Sequence, residues 1–173
     1  MKAFLILTAI TAIAWLAFSP SGKTAAPSDL EGLKAEVDRL KGIVPDQSHA
    51  MKDVAYHYSN LWFAGEAENW PLAEFYFNES RSHLRWAVRI IPVRKTPDGQ
   101  ELRLEDLLTG FENGALKELG DAVKSQDLEK FRTGYQQMLG SCYACHVAAG
   151  KPYLRLKIPD RPEVPIIDFS PQL

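Results

Sequence analysis

The sequence predicts an all-α protein, an antiparallel four-helix bundle with an extra N-terminal helix and a proline-rich extended C-terminal tail. Three observations carry this reading. Four stretches between Gln47 and Gly150 repeat apolar residues at the helical period, no stretch sustains the alternation a strand needs, and the joints between the four are short. At 173 residues and 46% hydrophobic content the chain can bury one core and is not disordered. Its 20 basic and 22 acidic residues give a formal charge of −2 and no basic cluster, so there is no electrostatic reason to bind nucleic acid.

Four segments follow in order: 1–26, 27–46, 47–151 and 152–173. Lys2 ahead of an uncharged run from Ala3 to Phe18 has the basic and apolar regions of a secretory signal peptide. The run is shorter than the roughly 20 residues that span a bilayer comfortably, so the sequence predicts export to a bacterial periplasm or an equivalent exported location. Membrane association follows if the segment stays uncleaved as an anchor. Cleavage would remove Lys2 and Lys23 and no acid, lowering the formal charge from −2 to −4. Ser28 and Glu31 match a capping box, which starts a helix in the second segment. There Leu30, Leu33, Val37 and Leu40 form a narrow seam that suits either packing on the domain or pairing in a homodimer.

In the third segment, Gln47 to Gly65 places Met51, Val54, Ala55, Tyr58, Leu61 and Trp62 on one arc, with His49, Lys52, Asp53 and Asn60 away from it. Pro71 opens the next helix, which runs to about Ile91 and turns Leu72, Ala73, Tyr76, Ala87, Ile90 and Ile91 inward. Ser80 and His83 interrupt that apolar stripe. Thr96 to Gly99 read as a turn. A third helix carries Leu104, Leu107, Leu108, Phe111, Ala115, Leu119 and Val123, weakened by Gly110, Gly114 and Gly120. The fourth begins near Asp127, turns Leu128, Phe131, Tyr135, Met138, Leu139 and Cys142 inward, and ends near Gly150 and Pro152. Five prolines keep the tail extended, so Tyr153, Leu154, Ile166, Ile167 and Phe169 must pin it.

The chemistry is concentrated in Cys142-Tyr143-Ala144-Cys145-His146. This is the spacing that attaches a c-type haem: two thiols reach the vinyl groups and the imidazole that follows coordinates iron as a neutral ligand. The rival meanings of C-x-x-C fit poorly. A zinc site needs further ligands and the chain has no other cysteine; a redox dithiol expects a βαβ context.

With this motif near the end of the last of four helices, residues 48–150 resemble the four-helix-bundle cytochromes of the cytochrome c-prime superfamily. The resemblance implies one covalent haem c on Cys142 and Cys145, His146 as the proximal iron ligand, and a residue near the start of the first bundle helix facing the other side. A methionine there makes a low-spin cytochrome and an apolar residue leaves the position open. Met51 stands where the methionine is expected and lies on the apolar arc. His83, on the core face at a similar height, is the competitor: it would coordinate iron, bond a propionate or pair with Glu79. Lys151 and Arg155 follow the motif and suit either propionates or the helix dipole.

The function expected is therefore that of an exported cytochrome c shuttling single electrons between redox partner proteins. The alternative is a five-coordinate haem protein that binds or senses a small gas such as nitric oxide. No nucleophile–base pair or second cofactor motif stands out, so the sequence does not predict an enzyme.

Overall fold

The computed structural model describes residues 27–171, and the expected export signal lies outside them. In chain order the elements are α1 (Pro27–Ile43), α2 (Gln47–Glu66), α3 (Trp70–Ile90), β1 (Val93–Lys95), β2 (Glu101–Arg103), α4 (Leu104–Asn113), α5 (Ala115–Ser125) and α6 (Leu128–Ala148). The chain divides between Val44 and Pro45 into two units. In the first, α1 keeps Leu30 and Leu33 exposed, and Arg39 pairs with Glu36 at 2.7 Å.

The second unit is an all-α bundle whose helices start where a side chain can take up free backbone N–H groups. Asp46 accepts from Ser48 N and His49 N at the start of α2, Asn69 from Leu72 N at α3, and Asp127 from Lys130 N at α6. Helix α6 ends in a Schellman motif. Gly150, at φ 73°, donates to the Val147 carbonyl and Lys151 donates to the His146 carbonyl.

Helices α2 and α6 run antiparallel with their register fixed by aromatic contacts. Tyr58 stacks on Tyr135 with ring centroids 4.3 Å apart, and Phe131 packs beside Trp62 toward the other end. Each tyrosine hydroxyl donates to the other residue's backbone carbonyl at 3.0 Å. Burial holds both phenols neutral, raising their pKa far above the ordinary value. Around this pair Leu61, Ala64, Ala73, Tyr76, Leu119, Val123 and Met138 close the core. Gly120 lets Phe77 of α3 approach α5, where a Cβ would meet the ring at 2.6 Å.

Four expectations are corrected. The third predicted helix is two, α4 and α5, broken at Gly114 (φ −121°, ψ −115°), because three glycines leave too little helix propensity to carry it through. The Thr96–Gly99 turn closes a short antiparallel hairpin, with Val93 opposite Arg103, where no strand was expected. On α2, Asn60 is buried at 1% exposure and Ala55 is exposed, because this helix buries one face on α6 and another on α3. In the tail, Phe169 and Ile158 pack on the core, while Tyr153 and Ile166 stay 71% and 79% exposed and Leu154 is also exposed. Asn69 replaces them as an anchor, donating to the Phe169 and Ser170 carbonyls at 3.3 and 2.9 Å.

The α2–α6 contact leaves no room for a methyl group at Gly65, where a Cβ would lie 2.2 Å from the Phe131 ring. Phe131 is fully buried among Trp62, Trp70 and Tyr135 and has nowhere to go. Alanine gains up to about 1 kcal/mol in helix propensity, but overpacking costs roughly 1–3 kcal/mol. Gly65→Ala is therefore expected to lower the thermal unfolding midpoint by several degrees; an unchanged or higher midpoint would contradict this packing.

Candidate functional site

Cys142, Cys145 and His146 occupy the last turns of α6, at the end of the bundle away from the Phe131 cluster. Both thiols are free and half-buried. Cys142 packs against the core beside Tyr58 and Tyr135. Burial pushes its thiol up to about 12. Burial also raises Cys145, but the Arg94 guanidinium nearby opposes the shift. At neutral pH both are therefore thiols, the form that adds across a vinyl group.

The ring of His146 is held by the tail. Its Nδ1 lies 3.3 Å from the Leu154 carbonyl oxygen. A carbonyl can only accept, so in the neutral imidazole Nδ1 carries the proton and Nε2 keeps its lone pair for a metal. The Schellman turn makes this geometry available by reversing the chain immediately after α6. The Pro152 carbonyl, on the same return, accepts from the Tyr143 hydroxyl at 3.1 Å.

The hairpin and the start of α2 complete this end of the bundle. Gln47, buried in the first turn of α2, donates to the Ala87 carbonyl at 2.8 Å and accepts from Arg94 Nε at 2.6 Å. Arg94 is thus held between Gln47 and the Cys145 thiol, close to the C-terminal end of α3, where a positive charge is favourable. A Cβ on Gly150 would meet Pro97 at 2.9 Å, so the hairpin turn packs on the end of α6.

Met51 is half-buried on α2. It lies seven residues, about two turns, before Tyr58, and Cys142 lies seven residues after Tyr135. Because the helices are antiparallel and the two tyrosines are clasped, Met51 and Cys142 stand at the same height. His83 is placed on the α2–α3 face, 3.7 Å from both an Asp53 and a Glu79 carboxylate oxygen, with its ring tilted against that of His57. Lys151 caps α6 through its backbone and is half-buried; Arg155 is exposed in the tail.

Sequence reasoning missed Gln47, Arg94 and the Leu154 carbonyl. A backbone acceptor carries no residue signature, and Arg94 reads as an ordinary charge in a loop. The chain matches no family model, no curated protein and no solved structure.

The unequal thiols give a direct check. With both cysteines reduced and unmodified, iodoacetamide at pH 8 is expected to alkylate Cys145 several-fold faster than Cys142, followed by peptide mass, because only the thiolate reacts. Arg94→Gln should slow Cys145 and leave Cys142 unchanged. Equal rates at the two positions would contradict the assigned environments.

Proposed function

We propose that the chain is an exported c-type cytochrome that carries one covalent haem and passes single electrons between redox partner proteins. The observation that carries this reading is the Cys142-x-x-Cys145-His146 motif at the end of α6 with His146 Nδ1 turned to a backbone carbonyl. The donor set fits the group: two protonated thiols three residues apart for the vinyl carbons, and an imidazole whose Nε2 is free. Bound there, a haem supplies an iron that accepts and returns one electron.

The chain's own residues do the rest. Cys142 and Cys145 would hold the group on α6 through thioether bonds, and the Leu154 carbonyl fixes the ring plane and tautomer of His146. Met51, level with Cys142, would offer a neutral thioether as a second iron ligand, which would exclude exogenous ligands and raise the reduction potential. Lys151 and Arg155, after the motif, supply positive charge for propionates. The fit of the Lys2–Phe18 segment to a secretory signal supports an exported compartment such as the bacterial periplasm.

The Met51 assignment is tested by absorption spectroscopy on protein made with the haem-attachment machinery. The oxidised wild type is expected to be low-spin with a weak near-infrared methionine–iron band. Met51→Ala should lose the band, turn high-spin and bind carbon monoxide when reduced. A wild type that is already high-spin would select the five-coordinate gas-binding reading, and a low-spin Met51→Ala that becomes high-spin on His83→Ala would reassign the ligand to His83.

A further inference from the structure

A second constellation, outside the thiol–imidazole site, lies between α2 and α3. Asp53 and His57 are four residues apart on α2, and Glu79 and His83 are four apart on α3, so each helix turns a carboxylate and an imidazole to the same side. The helices are antiparallel, as the bond from Gln47 at the start of α2 to Ala87 near the end of α3 requires. The two pairs therefore meet crossed. His83 Nδ1 is 3.7 Å from Asp53 Oδ2, its Nε2 is 3.7 Å from Glu79 Oε2, and the His57 and His83 rings are 4.8 Å apart at their centroids.

From this arrangement we propose that His57, Glu79 and His83 form a binding site for a zinc-class divalent transition-metal ion, with Asp53 beside them as a further carboxylate. One ligand atom from each of the three lies within 4.8 Å of the others. Metal–ligand bonds of about 2.0–2.2 Å bring tetrahedral donors to roughly 3.3–3.5 Å from each other, so small side-chain adjustments close the set. Two imidazole nitrogens with one or two carboxylates suit zinc or copper(II) and not magnesium or calcium, which take oxygen alone.

Two further features favour an ion over a plain charge cluster. The Nδ1 atoms of His57 and His83 are both buried and without a hydrogen-bond partner among the described residues, although buried polar atoms are ordinarily satisfied. Tyr56 and Tyr76 pack on the His57 ring and Trp86 on the His83 ring, which screens the donors from water on that side.

The test is calorimetric titration of the purified full-length protein with zinc chloride, repeated with copper(II) and read by electron paramagnetic resonance for nitrogen hyperfine structure. One equivalent of zinc is expected to bind, with affinity falling at least about tenfold in His57→Gln and in His83→Gln, and with the copper coupling to two imidazole nitrogens seen in the wild type reduced in those two variants. Glu79→Gln keeps both rings and is expected to weaken zinc with the helical circular dichroism unchanged. His49→Gln, which alters the exposed histidine beside Asp46, is expected to bind as the wild type does. No saturable one-to-one binding, retention of wild-type affinity in His57→Gln and His83→Gln, or loss of binding in His49→Gln would overturn the proposal.

Discussion

The reciprocal clasp of Tyr58 and Tyr135 is the constraint on which the rest of the second unit depends. Two phenols stacked in the core can remain there only if their hydroxyls find acceptors, and each finds the other's backbone carbonyl. A slip of one residue along either helix would break both hydrogen bonds and the stack together. The clasp therefore fixes α2 against α6 in rotation and in height. In one direction it seats Phe131 against Gly65; in the other it brings Met51 level with Cys142. The bundle's packing and its candidate site are two readings of one register.

The two ends of the bundle are built for different purposes. Toward Phe131 the interface is aromatic, and the glycine at position 65 exists to let a ring through. Toward Cys142 the core gives way to thiols, an imidazole, a buried amide and a guanidinium, all half-enclosed by the hairpin and the returning tail. Gln47 and Arg94 join three elements there by hydrogen bonds where apolar packing is thin. Such an end costs stability that the opposite end must supply, and a covalently attached apolar group filling it would offset that cost.

Much of this was legible in the sequence, because helix periodicity and its punctuation are local. Asn69 and Pro71 mark the start of α3, Pro92 follows its end, and Gly150 is the left-handed residue that stops α6. Leu128, Phe131, Tyr135, Met138 and Leu139 follow the core face of α6 without exception. What escaped depends on which helix faces which. A wheel gives α2 one apolar arc, yet α2 buries two faces, so Asn60 goes inside and Ala55 outside. The tail was read by hydrophobicity, but an extended strand buries alternate residues at most, and Asn69 selects Phe169 over Ile166. The crossed Asp53–His57 and Glu79–His83 pairs carry a repeated carboxylate-x-x-x-histidine spacing that was present in the sequence; its meaning emerges only once α2 and α3 lie antiparallel.

The most direct measurement of the central claim is the mass of the tryptic peptide from Thr133 to Arg155, taken from protein exported alongside a haem-attachment system. Cleavage after Lys151 is blocked by Pro152, so this peptide keeps Cys142, Cys145 and His146 together. A peptide heavier by one haem after denaturation and organic extraction, with neither cysteine alkylable, is the predicted result. A peptide recovered at its unmodified mass with both thiols alkylable, or joined as a disulfide, would contradict the assignment of α6 as the haem-bearing helix.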